Sequence, residues 1–346
     1  MMKKGNILYW AMGVILMPLL GSCTSDDVIG SAGREEHDII SGQPMTVTSV
    51  TRAADGRTLS TQFEDGEIVW MWANKSSGNT EYIKAWELIA NGSGGFSSSA
   101  AKYWPSDGSS LNVHALHGKF TTNSISEGTT RWPNLSLFHT VKTDQSSPEN
   151  KRLSDLLYSQ TSSPVEPNHT VQLTFDHLLA KITVKLDLSE SKGIVASELA
   201  NATVTLTNMF TTCAEFNSAN VSTITTTGVS ADEGEFRTEI TAGKITQPEA
   251  ITTADNEVGS AIVPLQKFGG GKSSSADDNV ITITLASPDT RSFSYKPTPF
   301  VDLTAGNEYI YTLKIINGKL SVSSITVKPF ITETTQEKKW PIYVGS

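Results

Sequence analysis

What this 346-residue sequence lacks narrows it quickly. It has two cysteines, Cys23 and Cys213. It contains no cysteine cluster, no His-Glu-x-x-His pair and no Asp-x-Asp-x-Asp-Gly loop, the usual signatures of zinc and calcium sites. A Gly-x-Ser-x-Gly elbow is also missing, so serine hydrolase chemistry has no local support. There is no basic cluster and the net charge is −9, which argues against nucleic acid as a partner. Nothing in the sequence marks a cofactor or metal site, and the chain reads as a non-enzyme. Helical periodicity is nearly absent, with weak patterns only at 192–199 and near 153–158.

The single long apolar run, Ile7 to Leu20, is broken by Gly13 and Pro18 and follows Lys3 and Lys4. It is too short to span a bilayer comfortably and ends in small residues, as an export signal does. Leu20-Gly21-Ser22-Cys23 resembles a bacterial lipobox, which implies a signal peptide over 1–22 and lipidation of Cys23. Two or more acyl chains on that cysteine would anchor the protein firmly. With Cys23 so used, Cys213 stands alone and no intrachain disulfide can form. The acids after the cysteine, Thr24-Ser25-Asp26-Asp27, resemble the tag that sends such lipoproteins to the outer face of the outer membrane. Residues 23–44 read as a flexible leader.

From Met45 onward, short alternating runs rich in Val, Ile, Thr and Tyr are separated by Gly, Asn, Asp, Ser and Pro. Ile68-Val69-Trp70-Met71-Trp72, Val171-Gln172-Leu173-Thr174-Phe175 and Ile281-Thr282-Ile283-Thr284-Leu285 are examples. Apolar-in, polar-out alternation predicts antiparallel sheets with one dry face, an all-β chain of sandwiches. So many strands exceed one sandwich, so two domains are expected, over 45–160 and 164–330, with a tail over 331–346.

Several near-motifs read as structure. Gly271-Lys272-Ser273 looks like the end of a phosphate loop, but the first glycine of that loop would fall at Gln266. His114 and His117 lie three apart on a strand, which sends them to opposite faces. Cys213 has apolar company and reads as an inert thiol. Asp277-Asp278-Asn279 and the acids Asp65 and Glu67 read as solvated turns. The alternative to a structural role is a monomeric surface lipoprotein that binds glycans through Trp70, Trp72, Trp86, Trp104 and Trp132. Tryptophans spaced this way more often serve core and cross-strand packing.

Four places in order resemble the fimbrillin family, the fimbrial-subunit lipoproteins of anaerobic Gram-negative gut and oral bacteria. Thr51-Arg52 and Phe63-Glu64-Asp65-Gly66-Glu67-Ile68 resemble its first strand and the entry to the next, with Glu67 in place of the usual aspartate. Tyr103-Trp104-Pro105 precedes a strand as in the family. Asp155-Leu156-Leu157-Tyr158 is followed by Leu173-Thr174-Phe175-Asp176-His177-Leu178-Leu179-Ala180-Lys181-Ile182. Leu303-Thr304-Ala305-Gly306-Asn307-Glu308-Tyr309 resembles the finish. The resemblance implies two transthyretin-like, Greek-key β-sandwiches, with Phe175, Leu178 and Ile182 in the core and His177 and Lys181 in packing or surface roles.

It also implies a lipidated precursor at the cell surface whose N-terminal segment, first strand included, is removed by an arginine-specific surface protease. The partners implied are other fimbrial subunits, that protease, the outer membrane through Cys23, and host or bacterial surface ligands. Arg52 is the candidate cleavage site, because it follows the strand and precedes a polar turn; Arg57 and Arg34 are runners-up. Removing the strand 45–50, with Met45 and Val47 on one face and Val50 breaking strict alternation, would unbury three apolar side chains and open a groove. Another subunit's segment could fill it, drawn from around 324–331 or the tail to Tyr343. Stalk, tip and anchor roles stay open at this point.

Overall fold

A computed structural model describes residues 43–52, 58–59, 63–122, 125–130, 136–212, 216–217, 237–251, 256–271 and 278–330. Cys23, Arg34, Arg57, Trp132 and Cys213 lie outside them.

The first part of the chain carries β1 (Val47–Arg52), β2 (Thr58–Leu59), β3 (Ile68–Lys75), β4 (Glu81–Ala90), β5 (Phe96–Ser97), β6 (Leu111–His117), β7 (Phe120–Thr122) and β8 (Ser136–His139). A short helix, α1 (Pro148–Arg152), precedes β9 (Leu157–Gln160), β10 (Val171–His177) and β11 (Ala180–Leu186). Eight of these strands form one sheet in the order β2-β1-β10-β9-β6-β3-β4-β5. The alternation that marks the strands also sets their faces. In β10, Val171, Leu173 and Phe175 are buried while Gln172 and Asp176 are exposed. These side chains join Met71, Ala73, Trp86, Leu88 and Val113 in one hydrophobic cluster.

Then follow β12 (Thr203–Phe210), β13 (Phe216–Asn217), β14 (Arg237–Lys244), β15 (Glu257–Val263), β16 (Lys267–Phe268), β17 (Val280–Thr284), β18 (Ser292–Tyr295), β19 (Val301–Asp302), β20 (Asn307–Ile316) and β21 (Lys319–Pro329). They build two four-stranded sheets, β15-β11-β20-β21 and β14-β12-β17-β18. Ile182 and Val184 from the first meet Val204, Leu206, Ile281 and Ile283 from the second in a sandwich core. That cluster also takes in Trp72, Leu116 and Leu156, so it reaches into the first sheet's strands.

Residues 171–177, grouped by sequence with the segment 164–330, hydrogen-bond into the first sheet between β1 and β9. The weak helical pattern at 192–199 becomes a 3-10 turn over Ala196–Leu199. The other weak pattern, near 153–158, does not: the helix lies earlier, where Ser147 caps the N-terminus through its bond from the Asn150 amide and Pro148 sits in the first turn. Leu157 and Tyr158 are extended instead, paired between β6 and β10.

Candidate functional site

The site is built around β1. It runs parallel to β10, with Val47 opposite Val171 and Ser49 opposite Leu173. Its other flank is also bonded: the Met45 amide donates to Lys102 O at 2.8 Å and the Ser49 amide to Gly94 O at 2.9 Å. Bridges from Pro44 to Tyr103 and from Thr48 to Gly95 continue that contact. Since 94–103 continues from β4 and includes β5, at the far end of the sheet, β1 stands between the two ends and closes it. Met45, Val47 and Ser49 all point inward and are buried. Of the three apolar side chains expected from the sequence, Met45 and Val47 are buried and the Val50 side chain lies outside what the structure describes, while Ser49 takes the third inward place. Two buried apolar side chains contribute roughly 3–6 kcal/mol, at about 1.5–3 each.

Arg52 ends β1, with its backbone opposite Thr58 in β2. Among the described residues β2 has no sheet neighbour other than β1. Beyond residue 52 the chain passes through 53–57 to reach β2, so the candidate cut lies where β1 leaves the sheet.

Late in the chain, β21 pairs among the described residues with β20 alone and forms a sheet edge. Leu320 is buried, but Val322, Ile325 and Val327 are 37, 43 and 53 % exposed. An eleven-residue edge carrying exposed β-branched side chains is a template for another chain. Its register is held by Glu308, which is buried in β20 between Lys181 at 3.2 Å and Lys328 at 3.1 Å and accepts from Thr183 at 2.5 Å. Burial alone would raise the Glu308 carboxyl, but Lys181, Thr183 and Lys328 together hold it below the usual carboxylate range.

The remaining sequence motifs resolve into packing devices. Asp155 and His177, from two separate motifs, form a buried pair at 2.8 Å. The His177 ring stacks on Phe330 with centroids 4.0 Å apart, just past the end of β21. Tyr309 donates to Asp302 O and accepts from the Thr304 amide, both at 3.0 Å, which explains the spacing of the closing motif as a tyrosine corner. His114 and His117 have separate partners, Tyr158 Oη at 2.9 Å and Ile68 O at 2.8 Å. Two of the acids read as solvated turns are corrected. Glu67 is paired with Arg152, and Asp278 is buried against Lys296 at 2.9 Å. Both lie where the fold brings a distant cation onto them.

Trp72, Trp86 and Trp104 are buried and Trp70 is half-buried. The Trp72 indole donates to Thr130 O and the Trp86 indole to Ser98 Oγ and Ala100 O. Trp72, Trp86 and Trp104 are therefore core residues, and Trp70 packs half-buried against the core. Among the described residues there is no group of three or more potential metal-ligating side chains. Nor is any helix there long and apolar enough to cross a membrane.

The chain resembles, at 15 % identity and a TM-score of 0.59, a candidate cell adhesion protein of Bacteroides ovatus, with 84 % of this chain and 99 % of that chain covered. A second candidate cell adhesion protein, from Bacteroides uniformis, matches at 17 % identity and a TM-score of 0.54, over 83 % of this chain and 97 % of that one. The tip fimbrial protein Mfa3 of Porphyromonas gingivalis is more distant, at 12 % identity and a TM-score of 0.43, with 83 % and 100 % covered. No curated protein matches the sequence. The first two likenesses establish a shared fold. The fimbrillin-like family model matches residues 51–329, nearly all of the described fold, and the chain belongs to the fimbrillin-like family.

Proposed function

We propose that this chain is a structural and adhesive subunit of a cell-surface fimbrium, exported as a lipoprotein precursor through Cys23 and assembled by protease-triggered strand exchange. The observation that carries the reading is the closing position of β1, which buries Met45 and Val47 between β10 and 94–103. Cleavage after Arg52, or else after Arg57, separates that strand from the body of the protein, whereas a cut after Arg34 lies ahead of β1 and would remove only the leader. Its loss would leave a groove with main-chain donors and acceptors on both walls, and an extended segment from another subunit would restore them. The exposed edge of β21 and the residues after it are the source we assign to that segment. A contact that joins one patch to a different patch repeats head to tail into a filament.

Incubating the full chain with an arginine-specific protease tests this. We expect an N-terminal fragment ending at Arg52, identified by mass after denaturation, together with ladders of subunits on gels as incoming segments displace it. A chain that is cut there and stays monomeric, or that resists cutting, would overturn the reading. N-terminal sequencing of material sheared from cells then separates a processed stalk subunit from an uncut tip or anchor.

A further inference from the structure

The three inward-facing places of the β1 groove are not equally well filled. Met45 and Val47 bring apolar side chains to an apolar wall made by Val171, Leu173, Trp104 and Phe96. Ser49, 7 % exposed, brings a hydroxyl whose oxygen has no hydrogen-bond partner among the described residues. Its Cα partner is Leu173, fully buried, and Gly94 receives its amide on the other side at 2.9 Å. Neither neighbour's side chain can satisfy a hydroxyl. Withdrawing a hydroxyl from water without returning a partner is among the more expensive things a buried residue can do. Its main-chain amide is well bonded, so the misfit lies in the side chain alone.

We propose that position 49 is the selectivity position of this groove: the resident strand fills it poorly with serine, and the groove prefers an exchanging segment of a second subunit that places a small apolar residue, alanine or valine, there. The proposal rests on the strand-exchange reading above. It gives exchange a direction, because the incoming segment recovers what the resident strand forfeits. It also states the chemistry of the ligand: an extended segment with a large apolar, a β-branched and a small apolar side chain at alternate places.

The full chain and two variants, Ser49→Ala and Thr48→Ala, test the proposal. Thr48 alternates to the other face and is only half-buried, so its variant is the control. We expect Ser49→Ala to raise the denaturant midpoint of the uncut chain. After cutting, it should slow ladder formation about tenfold at an unchanged rate of cleavage, tenfold corresponding to ~1.4 kcal/mol. Thr48→Ala should change neither. A Ser49→Ala chain that assembles as fast as the natural one overturns the proposal.

A second arm uses synthetic peptides of residues 43–51, with the natural sequence or with the Ser49→Ala change, competing for the cut chain. The substituted peptide should displace the resident fragment about tenfold more effectively, and equal potency overturns the proposal. If neither chain assembles while the substituted peptide still wins, the strand-exchange reading fails and the groove's selectivity stands.

Discussion

At the scale of the residue, burial of polar groups is the theme that recurs. His114 is half-buried beside Tyr158, and burial holds its imidazole down at about 4. His139 is fully buried, and burial lowers it as well, against the raising effect of its bond to Ser154 O. Both rings are thus favoured neutral in the folded protein, while in the unfolded chain they titrate near the ordinary value of 6.5. For His114 the unfolded state binds more protons between those limits, so its contribution to stability is complete above pH 6.5 and falls as the pH drops toward 4, and His139 acts in the same direction. Denaturant midpoints measured from pH 7 to 4 should decline, and His114→Phe should flatten the slope. An unchanged slope would mean His114 takes no part in it. None of this was legible in the sequence, where His114 and His117 were only two histidines on a strand. The partner of each comes from a distant segment, and so does its burial. The closing motif was legible as a pattern and became physical only when the Tyr309 hydroxyl met Asp302 and Thr304.

At the scale of the element, the strands were readable because alternation is local, and Val171, Leu173 and Phe175 face inward as their spacing predicts. Register was not readable. That β1 would run parallel to β10 depends on the long intervening chain that the Val47–Val171 pairing spans and no local pattern encodes. β21 shows the same division. Its first residues alternate around buried Leu320, whereas beyond Ser321 both faces are exposed, a property of the edge position rather than of the residues. Exposed side chains that touch nothing decisive cost little when replaced, usually within about 0.5 kcal/mol. Val327→Lys should therefore leave the unfolding midpoint of the single chain unchanged. The added charge on a free edge should suppress ladder formation after proteolysis, as charged edges suppress strand pairing. A variant that assembles normally would remove this part of β21 from the contact.

For the whole molecule, the sequence prediction of an all-β sandwich protein holds. What it could not show is how early and late segments share one interior. Gln145 is the clearest case. Its side chain is fully buried and bonds both main-chain groups of Ile262, donating to the carbonyl and accepting from the amide at 2.8 Å each. It therefore acts as a short extra rung on the outer side of β15, a strand that is otherwise an edge. Nothing in the composition around Lys142 and Gln145 marks such a role, because the partner lies 117 residues away. Gln145→Ala would leave a buried carbonyl and a buried amide without partners. At about 1–3 kcal/mol for each group, the loss should be roughly 2–6 kcal/mol, read as a lower urea midpoint with an unchanged slope. A loss under about 0.5 kcal/mol, the range of ordinary surface changes, would show that the rung is dispensable.

The bonding of β1 on both flanks bears on timing. A strand held along β10 on one side and by Gly94 and Lys102 on the other does not fall away when one peptide bond at its end is severed. Cut subunits would keep their shape until an incoming segment displaces the severed strand, so a short-lived stock of primed subunits would precede each filament. The pace of filament growth would then follow the supply of the next subunit, with the protease setting only how large the stock becomes.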